Sequence, residues 1–189
     1  MCGLAARSSA PTLDARTLRR MTEFPNVPDQ LAAVAEFDAL LRERRVDYWL
    51  FGGWAVDFHV GRVTREHCDI DAAVWADDGS RVAALLDSGG WVHRPDVGED
   101  GYTCYERGRV RLELAFLARD ERGRVYTPLR DGRGEWPDDA FGDDILALRG
   151  VQARVIGRGA LIADKSLERA DTQTVAKDRA DVASLADAD

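Results

Sequence analysis

Two aspartates one residue apart, Asp69 and Asp71, interrupt an apolar β-type run, CDIDAAVW, that hydrophobic residues alone would fill. In a strand alternate side chains share a face, so both carboxylates project together while Ile70 and Val74 supply an opposite apolar side. Adjacent like charges raise one another's pKa unless a cation sits between them. Hard oxygen ligands held on a strand suit Mg2+, which keeps few protein carboxylates and fills its octahedron with water and substrate phosphate oxygens. A third acid, Glu113, breaks the strand-like run RVRLELAFL in the same way, alternating against Leu112 and Leu114. Three carboxylates on one sheet face can bind one or two metal ions and take a proton from an attacking hydroxyl, so Glu113 is a candidate base, metal ligand or both.

Upstream, Gly52 and Gly53 stand between the strand-like YWLF and the helical WAVDFHV. A glycine pair there lets the backbone turn sharply, leaving free N–H groups and the positive end of a helix for an anion. Arg62, Thr64 and Arg65 follow in the loop and can add charge and hydroxyl contacts to phosphate. A nucleoside triphosphate with magnesium, ATP or another, fits these features. His67 is expected to be a hydrogen-bonded structural residue rather than a metal ligand, and Trp54 a core residue closing the helix onto the sheet. Tyr102, Tyr105, Glu99 and Asp100 can border an acceptor pocket, or be ordinary strand aromatics and loop acids.

The elements that must position these groups are legible in outline. From Asp29 the residues Leu31, Val34, Phe37 and Leu41 recur at helical spacing, with RERR at the end where cations suit the helix dipole. SRVAALLDSGG reads as a helix ended by glycine, followed by the strand-like WVHR, YTCYER and RVRLELAFL, with VQARVIG as a further strand. Ala160 to Ala170 and Thr174 to Ala186 read as two closing helices. The pattern predicts an α/β or α+β domain with a mixed sheet flanked by helices over residues 28–189, preceded by a mobile leader, 1–27. Because the leader lacks core periodicity, starting the chain at Met21, an alternative start, is expected to leave melting temperature and nucleotide binding unchanged; a large loss of either would show that the leader packs on the domain.

Composition narrows the partners. Of 189 residues, 34 are Asp or Glu and 26 Lys or Arg, for a net charge of −8, and no Lys/Arg block offsets this locally. Such a field repels a nucleic-acid backbone and favours cationic small molecules. Cys2, Cys68 and Cys104 form no CxxC pair and lack the spacing of a zinc site, which fits a reducing cytoplasm. No run has transmembrane length, so a soluble cytoplasmic protein without a membrane partner is expected. Nothing in the sequence fixes an oligomeric state.

At the glycine pair, the Asp-x-Asp and the later single acid, the chain resembles the nucleotidyltransferases of the polymerase-β superfamily. More narrowly, GGWAVDFHVGRVTREHCDID is similar to the antibiotic-modifying branch, the lincosamide and aminoglycoside nucleotidyltransferases, where GGW, a G-R-x-T-R loop and H-x-D-I-D recur. Weaker similarity runs through RVRLELAFLARDERG into TVAKDRADVASL, which resembles the family's Lys-Asp-x-x-Asp closing helix, so the resemblance spans about Leu31 to Leu185. It implies a polymerase-β-like fold, Mg2+ on Asp69 and Asp71, Glu113 as third carboxylate and base, and Gly52 and Gly53 facing the triphosphate. Lys177 is implied near the phosphates, although it can equally pair with Asp181 one helical turn on.

The implied reaction moves a nucleoside monophosphate, AMP from ATP foremost, onto a hydroxyl of an aminoglycoside or lincosamide, releasing pyrophosphate. Two departures stand out. Leu114, Ala115 and Phe116 occupy the place of a Leu-His-Pro segment usual in lincosamide-type members, and the closing helix stops early, so part of the family's C-terminal wall is expected to be missing. Transfer to a protein hydroxyl, as in antitoxins of the superfamily, is an alternative, but those usually carry Gly-Ser where Gly53 and Trp54 stand. A non-catalytic nucleotide-binding module is a third reading, against which the retention of all three acids argues.

Overall fold

A computed structural model of the chain describes residues 26–95, 100–167 and 172–188. Residues 1–25 of the expected leader and Glu99 lie outside the described residues. Helix α1 (Val27–Glu43) begins at Val27 rather than Asp29, with Pro28 in its first turn, where a missing N–H leaves no partner unsatisfied. It buries Leu31, Val34, Phe37 and Leu41 as their spacing predicts.

The chain then runs through β1 (Tyr48–Phe51), α2 (Gly52–Val60), β2 (Ile70–Trp75), a 3-10 turn (Ala76–Asp78) and α3 (Gly79–Ser88). Five strands follow: β3 (Val92–Arg94), β4 (Tyr102–Arg107), β5 (Val110–Arg119), β6 (Val125–Leu129) and β7 (Gly132–Glu135). A hairpin of β8 (Ile145–Leu148) and β9 (Val151–Arg154) leads to α4 (Arg158–Lys165) and α5 (Thr172–Ala186). The main sheet has the order β1-β2-β5-β4-β3, with β6 pairing the far end of β5 and β7 pairing β6. Among the described strand pairs of this sheet β2 and β5 alone run parallel and the others are antiparallel, so the sheet is mixed as expected.

Three strands, β6, β7 and β8, are not anticipated by the sequence pattern. Pro128, Gly132 and Gly134 sit inside β6 and β7, where they weaken strand propensity, and pairing with β5 supplies the order instead. β8 exposes Ile145 and is defined by its hairpin with β9.

The two sheet faces differ. One buries Leu50, Ile70, Ala72, Val74, Leu112 and Leu114. There Phe37 of α1 meets Tyr48 edge to face, and Gly79 of α3 lies against Phe116. The other carries the acids together with an aromatic wall in which Trp49 packs on Trp75 and Phe141, and Phe51 on Tyr102 and Trp136. Ala73 and Ala115 pair with Trp49 and Tyr102, and as small residues they leave room for that wall. Cys68 and Cys104 are free thiols. Among the described residues no helix is long and apolar enough to cross a membrane.

Candidate active site

β2 begins at Ile70, so Asp69 stands just before the strand and Asp71 within it. The parallel register sets Asp71 opposite Glu113, with Phe51 beyond Asp71 on β1 and Cys104 beyond Glu113 on β4. In-register neighbours point to one face, so Asp71 and Glu113 stand side by side on the face that carries the aromatic wall. Burial pushes the Asp71 carboxyl well above its ordinary range, and the charges of Asp69, Glu113 and Asp164 add to this while Lys165 opposes it. Carboxylates forced together in this way define a place where a cation is stabilising.

The glycine pair is fitted to these acids. Gly52 adopts φ +64°, and a Cβ there would lie 1.9 Å from Asp71 Oδ2, so only glycine lets the turn sit on the carboxylate. A Cβ on Gly53 would lie 2.4 Å from His67 Nδ1 and 2.7 Å from Arg65 Nη2. The first turn of α2 therefore packs its backbone against Asp71 on one side and the Arg65–His67 loop on the other.

That loop is held by a buried polar network. Asp57 of α2 accepts from the Thr64 N–H at 3.0 Å, from Thr64 Oγ1 at 2.5 Å, and from His67 Nε2 at 2.6 Å. Arg65 donates to His67 Nδ1 at 3.0 Å, which leaves Nε2 as the protonated nitrogen facing Asp57. The same Arg65 forms a two-point pair with Asp181 of α5, at 3.1 and 3.0 Å. Lys165 of α4 completes the network, 3.0 Å from Asp178 Oδ1 and 3.3 Å from Asp181 Oδ2.

The geometry sorts the residues singled out in the sequence. Asp69, Asp71, Glu113, Gly52 and Gly53 come together. His67 is buried and hydrogen-bonded, and Trp54 is fully buried against it, as read. Thr64 and Arg65 are half-buried and engaged within the protein by Asp57 and Asp181. Arg62 is exposed. Lys177 is exposed on α5 as well, and its alternative partner Asp181 faces inward to Arg65 and Lys165 instead. The physical reason is helix phase, which turns Asp178, Asp181 and Leu185 to the buried side of α5 and Lys177 to solvent.

The sequence reading gives no role to Asp57 or Lys165, and Asp178 and Asp181 enter it only through the Lys-Asp-x-x-Asp resemblance and as a partner for Lys177. Acids on the same stripe as Leu185 were the available signal, because a buried carboxylate requires a partner. Beside the acids lies a cleft of about 370 Å3 with Asp100, Glu135 and Asp164 among its acidic lining and Tyr102 and Trp136 among its aromatic lining. Tyr102 and Asp100 thus border it, whereas Tyr105 is buried on the opposite face against His93.

The donor set suits a divalent ion that needs few protein ligands. Among the described residues no three acid, His or Cys side chains close into a ready-made cage. The fit is to an ion that takes one or two carboxylates, here Asp69 and Asp71, and completes its shell with water and phosphate oxygens.

A glycine turn leading into a helix, an Asp-x-Asp at the start of the next strand and a third acid on its parallel neighbour place this domain in the nucleotidyltransferase fold class. Solved structures share that fold. The lincosamide antibiotic adenylyltransferase LnuA, in its lincomycin-bound crystal structure, superposes with a TM-score of 0.63 at 21% identity, covering 80% of this chain and 92% of that one. ANT(2'')-Ia, solved in complex with adenylyl-2''-tobramycin, gives 0.64 at 21% identity, over 83% and 90% of the two chains. The chain belongs to the aminoglycoside-2''-adenylyltransferase family, whose family model matches residues 33–185. A 2''-aminoglycoside nucleotidyltransferase of Klebsiella pneumoniae is 34% identical over 58 residues, which is 31% of this chain and 33% of that protein. A lincosamide resistance protein of Staphylococcus haemolyticus is 40% identical over 52 residues, 28% and 32% of the two lengths. The chain thus spans only about a third of the curated relatives it matches.

Proposed function

We propose that the protein transfers a nucleoside monophosphate, AMP from ATP foremost, to a hydroxyl of a small molecule and releases pyrophosphate, the acceptor being an aminoglycoside or lincosamide antibiotic. The observation that carries this reading is the register of Asp71 against Glu113, with Asp69 alongside and the Gly52 turn seated on the Asp71 carboxylate. Asp69 and Asp71 would hold Mg2+, which when bound neutralises the triphosphate and draws phosphate oxygens into line. Backbone N–H groups at the start of α2 face the phosphates. Glu113 accepts the proton of the acceptor hydroxyl as its oxygen forms the new bond to the α-phosphorus and the bond to the leaving pyrophosphate breaks. Arg65 and Thr64 serve indirectly, by tying the loop before Asp69 to α5 and α2.

The acidic and aromatic cleft next to the carboxylates supports an acceptor carrying amino groups on rings that pack against Tyr102 and Trp136. Family membership supports the antibiotic class. The test is incubation with Mg2+, each labelled nucleoside triphosphate and a panel of aminoglycosides and lincosamides, followed by mass detection. An adduct of one nucleoside monophosphate is expected; a panel without any adduct overturns the reading.

Nucleotide binding is expected to depend on magnesium. A ligand that binds only the folded state adds RT ln(1 + [L]/Kd), about 2.7 kcal/mol at a hundredfold excess over Kd. ATP with Mg2+ should therefore raise the melting temperature clearly more than ATP with EDTA. Equal shifts under both conditions would remove Asp69 and Asp71 from their assigned role.

A further inference from the structure

We infer that Lys165 of α4 is a cation directed at the nucleotide phosphates, held in position by Asp178 and Asp181 of α5. The inference rests on the nucleotidyl-transfer reading above and adds a residue to it.

Lys165 Nζ lies 3.0 Å from Asp178 Oδ1 and 3.3 Å from Asp181 Oδ2. The same Asp181 Oδ2 is 3.0 Å from Arg65 Nη2, which lies 2.7 Å from the position a Gly53 Cβ would take. One shared carboxylate thus ties Lys165 to the glycine turn where the phosphates are expected. The ammonium also acts electrostatically on Asp71. Lys165 therefore stands close to both the turn and the carboxylates, and its neighbour Asp164 lines the acceptor cleft.

Of the two half-buried cations, Lys165 keeps the larger share of its donors for a ligand. Arg65 gives four of its five N–H groups to Asp181, the Glu66 carbonyl and His67. Lys165 donates one of its three to Asp178 and is ion-paired with Asp181 at 3.3 Å. Its side chain is 11% exposed, so solvent screens the charge weakly. An ammonium is also a compact point charge suited to phosphate oxygens. Arg65, Lys165, Asp178 and Asp181 balance to zero, so the fold can hold the lysine charged before nucleotide arrives. The acids Asp69, Asp71 and Glu113 meanwhile keep the adjoining surface negative. When the bond between the α-phosphorus and the bridging oxygen breaks, negative charge grows on the departing pyrophosphate, and a fixed cation there lowers the barrier.

A purely structural lysine and a phosphate-directed one differ in which ligand they favour. The charge-balanced pair of substitutions Lys165→Met with Asp178→Asn removes the ammonium without leaving Asp178 charged and unpaired, and Asp181 keeps Arg65. In this variant ATP affinity is expected to fall roughly 10- to 100-fold, as for loss of one hydrogen bond to a charged group, with AMP affinity nearly unchanged. Lys165→Arg, which keeps the charge and both acid pairs, should recover most of the ATP affinity. Equal weakening of ATP and AMP, or no weakening of ATP, overturns the assignment. Should the double variant not fold, acetylation of wild-type lysines decides. ATP with Mg2+ but not AMP should then protect Lys165 while Lys177 reacts alike in both, and equal reactivity of Lys165 overturns the assignment. A wild-type chain that binds ATP but modifies no acceptor counts against the transfer reading alone, because the ATP-to-AMP ratio still decides Lys165. Absence of ATP binding by the wild type overturns both.

Discussion

Glu113→Gln is expected to slow nucleotidyl transfer by a factor on the order of 10² to 10⁴ while nucleotide affinity stays close to that of the wild type. Glutamine keeps the shape and much of the hydrogen bonding of the residue but cannot take a proton. Asp69→Asn and Asp71→Asn should behave differently, because they remove charge needed in the ground state and so weaken Mg2+–nucleotide binding as well as turnover. If Glu113 acts only as a metal ligand, its replacement should weaken binding as the aspartate changes do. Wild-type turnover in Glu113→Gln would return it to an ordinary strand position and overturn the mechanism.

Asp71 carries a further signature in the metal-free protein. Its folded-state pKa lies above the unfolded value, chiefly through burial and then through Asp69 and Glu113. The folded state therefore binds the proton more tightly, and stability is lost as pH rises from the ordinary carboxylate range through the raised folded value. Asp71→Asn removes that loss. Without metal it should melt higher than the wild type at neutral pH, with the difference shrinking toward pH values near 4. A wild type whose metal-free stability does not fall over that window would show that the acids do not strain one another.

Gly52→Ala is expected to combine a loss of stability with a loss of transfer. The residue sits at φ +64°, where a non-glycine residue costs about 1–2 kcal/mol. The new Cβ would also lie 1.9 Å from Asp71 Oδ2, so the carboxylate must move. Misplacement of a reacting constellation by about 1 Å can reduce rate on the order of 10²-fold. Gly61→Ala supplies the comparison, because Gly61 has φ +73° at the end of α2 with nothing within 4 Å of its Cβ position. It should show the backbone strain without the loss of rate. Equal transfer rates in the two variants would mean that the turn does not set the position of Asp71.

What local sequence determined was the set of groups and their immediate carriers. Asp69 and Asp71 are neighbours because they are two residues apart at the start of a strand, and Gly52 and Gly53 make a turn because glycine alone tolerates the backbone and the close approach. The core face of α1 was legible from period, and the mixed sheet from the alternation of strand-like and helical runs. None of this needs a distant contact. Tertiary structure decided which charges meet. Glu113 stands beside Asp71 only because β5 pairs with β2 in parallel register, a choice no local pattern encodes. β6 and β7, with their proline and glycines, are strands because an existing edge pairs with them. Arg65 and Lys177 look alike as basic residues near a motif, yet helix phase and burial engage Arg65 with Asp181 and leave Lys177 in solvent. Lys165, with nothing conspicuous around it in the chain, is brought to the site by two acids on α5 that could be buried only with a cation between them.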